Sequence, residues 1–453
     1  MQFLRTYVPA YRTILILAAP LFLGQLGNIA VSFADNIMVG KYSTQALASA
    51  SFVNNIFNIA LFTCVGFTYG LTPLIGALFA KGEKRQIGTT LRLGLQVNMM
   101  YTFAVIAVMA ALYFFLHRLG QPEELLPLIR PYYLTALAGM IPVALYNVFA
   151  QWSFAINRTQ LPTWILLGAN LINVAGNYIF IQGRFGAPEL GLLGAGYSTL
   201  AARIICAALM AAVFFRSRHA ADYRPGFFNC KATKGQRSHI FATGFPVSMQ
   251  MAFETASFSG SAVMAGWIGT NALAAYQIVI ICGMLGFCIY YSIGAATAIP
   301  VSHAAGENNA AGMRHVAWAG YHLTLAAMIC SCCIFIFAGK YIISWFSNDA
   351  AVLALAYTLI FPIVLYQLGD ATQISFANSL RGTSKVGPIL YIAFISYIIV
   401  GLPLTWLMAF PLGMGLYGIV LSFTACLLLA AVQFLVFFLR ATKKNVVAYP
   451  KKC

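Results

Sequence analysis

Between Arg237 and Glu307 lie 69 consecutive residues with a single formally charged side chain, Glu254. No water-soluble fold tolerates such a run, because almost nothing in it can face solvent. A bilayer crossing needs roughly 20 apolar residues, so the stretch reads as consecutive crossings. Only helices and closed barrels span lipid, since backbone groups find no water there. The apolar runs are continuous rather than alternating, which selects helices. The rest of the chain agrees: it is 61% hydrophobic and 8% charged, against about 25% charged in soluble domains.

Twelve spans are expected, near residues 14–38, 46–80, 89–116, 125–156, 161–182, 190–215, 239–267, 273–304, 316–340, 350–380, 386–410 and 414–440. Several exceed 25 residues, which implies tilt or extension past the bilayer. The basic N-terminus is not followed by a short apolar core and a small-residue cleavage site. The first span is therefore expected to direct insertion itself.

A formal net charge of +17 would suit a nucleic-acid partner, but its distribution argues against one. With the N-terminus cytoplasmic, 21 of the 27 Lys and Arg fall inside, five fall outside (Lys41, Arg118, Arg130, Arg184, Lys340), and Arg203 lies within a span. The inside set includes Lys84, Arg85, Arg237, Arg381, Lys385 and Lys444. This asymmetry is the positive-inside pattern, and it puts both termini in the cytoplasm. Ten cysteines suggest no disulfide framework; Cys330, Cys332 and Cys333 read as small apolar filler inside a span.

The longest polar segment, residues 216–238, falls midway and reads as a cytoplasmic linker. It separates residues 1–215, with six spans, from 239–453, with six spans and a basic tail. A repeat is expected at an offset near 226. Residues 20–48 match 246–274 at eight of 29 ungapped positions, including Pro20 with Pro246, Met38 with Met264 and Gly40 with Gly266. PVALY (142–146) recurs as PIVLY (362–366). Six spans is an even number, so both halves enter the membrane in the same direction. The expected fold is all-α, with two six-helix lobes related by a pseudo-two-fold axis along the membrane normal, which is a transporter plan.

Seven of the ten acids lie in predicted loops or at helix ends; Asp35, Glu254 and Asp370 lie within spans. An aspartate at a helix centre costs about 2.5–3.5 kcal/mol on insertion scales. Such residues persist where they face a cavity, pair with a cation or carry protons. Tyr366 precedes Asp370 by four residues and shares its helical face, so its phenol can reach the carboxylate. Asp35 is six residues from Lys41, roughly 9 Å along a helix, so an interfacial position is also open to it. The fifth span places Asn170, Asn173 and Asn177 on one face, and Thr199 lies in the sixth. A carboxylate with amide and hydroxyl oxygens suits a small hard cation, while the same asparagines also suit interhelical hydrogen bonding. In the repeat frame Glu254 faces Asn28, Asp35 faces Ser261 and Asp370 faces Ala150. The halves share a frame without sharing its chemistry.

FADNIMVG around Asp35, NYIFIQGRFGAPELGLLGAG, FETASF around Glu254 and QLGDATQISFANSLRG around Asp370 resemble the multidrug and toxic compound extrusion (MATE) transporters, especially the NorM-type branch. The similarity covers essentially the whole chain, and the Glu254–Asp370 pair is its specific part. The resemblance implies export of organic cations or amphiphilic drugs by Na⁺ or H⁺ antiport in a bacterial cytoplasmic membrane. It implies Glu254, Asp370 and Tyr366 as a coupling-cation or substrate site, with Asp35, Asn173, Asn177 and Thr199 as a second cation site. Related second sites often carry an acid where this chain has Asn177. A monomer is expected, with Na⁺ or H⁺ as coupling ion and no other cofactor. A lipid or polysaccharide flippase shares the plan, but its anionic substrate would favour a cationic cavity, and only Arg203 is basic within a predicted span. An integral-membrane enzyme is disfavoured because the six histidines form no HxxxH or HExxH motif.

Overall fold

The computed structural model describes residues 2–118, 122–229, 233–346 and 349–443. The tail from Lys444, including that member of the basic set, lies outside the described residues, as do 230–232 of the polar segment. The described chain is helical, without a strand. Its long helices are α1 (Gln2–Tyr42), α2 (Thr44–Ala80), α3 (Lys84–Phe114), α4 (Glu123–Ala155), α5 (Gln160–Phe180) and α6 (Leu192–Arg216). Then follow α7 (Gln236–Ile268), α8 (Thr270–Gly306), α9 (Ala310–Ser344), α10 (Ala350–Thr358 with Ile360–Gly382), α11 (Gly387–Ala409) and α12 (Gly415–Ala441).

Among the described residues nine of these are long and apolar enough to cross a membrane, and ten when α10, bent by 46° at Leu359, is taken as one span. The remaining two, α5 and α7, have the length but less apolarity. They are the helices that carry Asn173, Asn177 and Glu254. Their polar side chains lower their hydropathy.

The acids expected at helix ends are there. Asp349 caps α10 by accepting from the Ala351 and Val352 amides, as an N-cap aspartate does. Glu307 ends α8, and Asp222 bridges Lys84 at 2.7 Å on the surface.

The chain forms two compact units, residues 20–248 and residues 1–19 with 249–453. The borders fall inside α1, at Pro20, and inside α7, two residues beyond Pro246. A proline inside a helix removes one backbone hydrogen bond, and these two prolines are mates in the repeat. In the first unit the core gathers Phe67, Leu91, Phe149, Trp152 and Phe214, with the Trp152 and Phe214 rings edge to face at 5.1 Å. The second unit closes around Tyr276, Leu359, Tyr366, Tyr397 and Phe423. Residues 1–19 belong to it through Tyr7, stacked on His315 at 4.3 Å, and Tyr11, whose hydroxyl meets His322 Nδ1 at 2.9 Å.

The polar segment after α6 is docked rather than free. A short helix, Arg224–Asn229, lies on α3, where Thr89 Oγ1 donates to the Gly226 carbonyl at 3.0 Å. Two glycines allow that approach: a Cβ on Gly88 would collide with the Tyr223 carbonyl, and one on Gly226 with the Arg85 carbonyl. The Arg224 guanidinium donates to the Phe214 and Ser217 carbonyls at the end of α6.

Candidate functional site

In the second unit α7 carries Gln250 and Glu254 one turn apart, so they share a face. The second segment of α10 does the same with Tyr366 and Asp370. Both are buried, and the Tyr366 hydroxyl donates to Asp370 Oδ2 at 3.4 Å. This is the pairing that the four-residue spacing predicts. Glu254 and Asp370 lie within electrostatic reach of one another. The three residues singled out in this half of the sequence therefore come together.

Four further side chains complete the cluster. Tyr397 projects from Phe394–Gly401, a π-helical stretch of α11; such wide turns recur at functional positions. Its hydroxyl lies near Glu254 and accepts from Gln373 Nε2 at 2.8 Å. Gln373 Oε1 is buried and makes no hydrogen bond within the protein. An oxygen of this kind beside two carboxylates is suitable chemistry for a hard cation. Arg381 is the third addition: it is 5% exposed in the last turn of α10. Its Nη1 donates to Asn378 Oδ1 at 3.1 Å and its Nη2 to Gln250 Oε1, the fourth addition, at 3.4 Å. From there it acts electrostatically on Glu254. On the other side of Asp370, Tyr290 donates to Gln367 Oε1 at 2.6 Å.

In the first unit Asp35 is half-buried and is held by α5. Asn177 Nδ2 donates to Asp35 Oδ1 at 2.5 Å. With its amide oriented to satisfy both ends, Asn173 donates to the same oxygen at 3.0 Å and accepts from the Thr199 amide and hydroxyl at 3.1 and 2.9 Å. Asp35, Asn173, Asn177 and Thr199 are thus one connected set. Asn170 is not part of it; its amide donates to Asn28 at 3.4 Å. Arg203, one turn beyond Thr199 on α6, acts electrostatically on Asp35. Its Nη1 fits over Gly139, where a Cβ would come within 2.6 Å. Each unit thus has a guanidinium that acts on one of its carboxylates.

The chain is 30% identical over 414 residues to the probable multidrug resistance protein NorM of Bradyrhizobium diazoefficiens, covering 90% of this chain and 88% of that protein. It is 28% identical over 405 residues to the multidrug resistance protein NorM of Vibrio cholerae, with 88% of each covered. A solved outward-facing multidrug resistance MATE family transporter shares the fold, with a TM-score of 0.86 over 95% of this chain and 96% of that one at 17% identity. The profile of the MatE family matches twice, at residues 20–179 and 246–407, so the second match begins where an offset of 226 puts it. Because those two matches together span more than half of the sequence, the chain belongs to the MatE family, the multidrug and toxic compound extrusion transporters.

Proposed function

We propose that the chain is an antiporter that exports organic cations and amphiphilic drugs by alternating access, driven by inward Na⁺ or H⁺. It would act as a monomer in the bacterial cytoplasmic membrane, with both termini in the cytoplasm. The observation that carries this reading is the convergence of half-buried Glu254 on the buried pair Asp370 and Tyr366. The relatives named as multidrug resistance proteins support it.

Two carboxylates withdrawn from water are costly when charged and unpaired. A coupling ion relieves that cost, and so does a cationic drug. Each therefore excludes the other from the same groups, and that competition converts an inward ion gradient into outward drug movement. The oxygens of Gln373, Tyr366 and Tyr397 supply ligands that suit Na⁺, while protonation of either acid serves H⁺ equally well. Asp35, Asn173, Asn177 and Thr199 would form a second, weaker cation site with one carboxylate. Arg203 and Arg381 each act on a carboxylate, so neither supplies the net positive field that an anionic lipid-linked substrate of a flippase would need.

The test is dye efflux from vesicles containing the full chain, with Na⁺ and pH gradients imposed independently. Export that follows one gradient, or their sum, supports the reading and identifies the ion. Dye movement indifferent to both gradients would sink it.

A further inference from the structure

We propose that the first unit carries a site for an anionic phospholipid, with Arg92 and Arg237 holding the phosphate and Met100 and Phe241 lying along the acyl chains. The site is separate from the acidic cluster and does not depend on the export reading.

Arg92 stands three residues into the third expected span and Arg237 two residues before the seventh, so both belong at the membrane border. The structure sets these helix starts side by side. Arg237 Nη2 donates to Gln96 Oε1 on α3 at 3.0 Å, and Arg92 Nη1 donates to the Phe228 carbonyl of the docked helix at 3.4 Å. Arg92 and Gln96 share a face one turn apart, roughly 6 Å along the axis. The two guanidiniums therefore flank one short stretch of α3. One turn beyond Gln96 on that face stands Met100, 70% exposed. One turn beyond Arg237 stands Phe241, also exposed, its ring centroid 5.6 Å from that of Phe67 and 6.4 Å from that of Tyr101. Both helices thus run from cation to exposed apolar side chain in the same direction, which is the order of a phospholipid from headgroup to chain.

Charge selects the headgroup. Neither α3 nor residues 236–249 of α7 contain an acid, and Asp222, on the segment between them, is engaged by Lys84. A guanidinium keeps its charge in a protein and matches the geometry of a phosphate. Arg237 is exposed, and its bond to Gln96 employs one of five N–H donors. Basic pockets between membrane helices bind anionic headgroups in this way. A zwitterionic lipid brings a cation of its own, which two arginines repel.

The experiment follows the melting temperature of the purified full-length protein in detergent. Three probes are titrated: dioleoyl phosphatidylglycerol, dioleoyl phosphatidylcholine, and glycerophosphoglycerol, which is the first headgroup without its chains. Phosphatidylglycerol is expected to stabilise the wild type at a concentration at least about tenfold lower than phosphatidylcholine, and glycerophosphoglycerol to have no effect at the same concentration. The double variant Arg92→Gln/Arg237→Gln should lose the preference between the two lipids. Arg92→Lys/Arg237→Lys keeps both charges and should retain most of it. Equal potency of the two lipids on the wild type overturns the proposal, and so does a preference that survives in the glutamine variant. Glycerophosphoglycerol as potent as the lipid would mean a site for a soluble phosphodiester, which overturns it too. Should the glutamine variant not fold, a photoactivatable phosphatidylglycerol is cross-linked to the wild type. Label within residues 92–103 or 237–245 supports the site; label confined to other peptides overturns it.

Discussion

Asn177 donates its side-chain amide to Asp35 Oδ1 at 2.5 Å, with Asn173 arriving at the same oxygen from one turn earlier. The carboxylate in the first unit is therefore satisfied by neutral donors from a single helix. An aspartate at position 177 would replace one donor with a second negative charge. Asn177→Asp is expected to destabilise the cation-free protein and to make its thermal stability depend on Na⁺. At 100 times the dissociation constant the gain from binding is about 2.7 kcal/mol. Melting curves across a Na⁺ series, with choline holding ionic strength constant, read this directly. A variant whose curve depends on Na⁺ no more than that of the wild type contradicts it.

Glu254→Gln and Asp370→Asn each remove a charge that the coupling ion is argued to neutralise. Both variants should insert normally and should lose gradient-driven dye export by about a hundredfold or more, the scale of a lost interaction of roughly 3 kcal/mol with a charged group. Asp35→Asn should retain more export than either. Initial efflux rates per inserted protein decide the order.

Tyr397→Phe keeps the ring in the core and removes only the hydroxyl that serves Glu254 and Gln373. A hydrogen bond to a charged group is worth about 1.5–3 kcal/mol. The ion concentration for half-maximal export should therefore rise about tenfold, with little change in folded yield. A similar rise for Tyr290→Phe, whose hydroxyl bonds Gln367 instead, would show the effect to be unspecific.

The short helix on α3 depends on glycine contact more than on charge. Gly88→Val should cost about 1–3 kcal/mol by overpacking and should expose Tyr223 and Phe227, both buried in the docked segment, to chymotrypsin. Lys84→Ala removes a surface ion pair whose two side chains are more than half exposed, and water and salt screen such pairs so that they contribute little. Digestion of Lys84→Ala should therefore run at nearly the wild-type rate. Equal protection of both variants would mean the glycine packing does not hold the segment.

These residues also show where sequence reading stops. Tyr366 with Asp370, and Asn173 with Asn177, were legible because helical spacing alone determines which side chains share a face. The same periodicity over-read Asn170: it lies on that face, but the group opposite it is Asn28 and not Asp35. Arg381 was hidden by its neighbour Lys385, since counting charges near a span end does not reveal whether the last turn is covered. Tyr397 carried no signal at all, because a π-helical stretch shifts the angular position of everything it contains. Gln250 could have been found, since it lies one turn before the only acid in its span. The polar composition of 216–238 suggested a linker, and nothing in composition distinguishes a polar segment in water from one laid on a helix.

The borders at Pro20 and near Pro246 bear on how the protein is made. Residues 1–19 leave the ribosome before residues 20–248, yet the compact unit they join consists otherwise of residues 249–453. The N-terminal arm must therefore wait through the synthesis of an entire unit before its Tyr7 and Tyr11 find His315 and His322. Domains generally form as units while the chain emerges, so here the later-born unit keeps a place for the earliest-born segment. A gene cut at the polar segment would yield two fragments, each holding part of the other's unit, and neither could finish folding without its sibling.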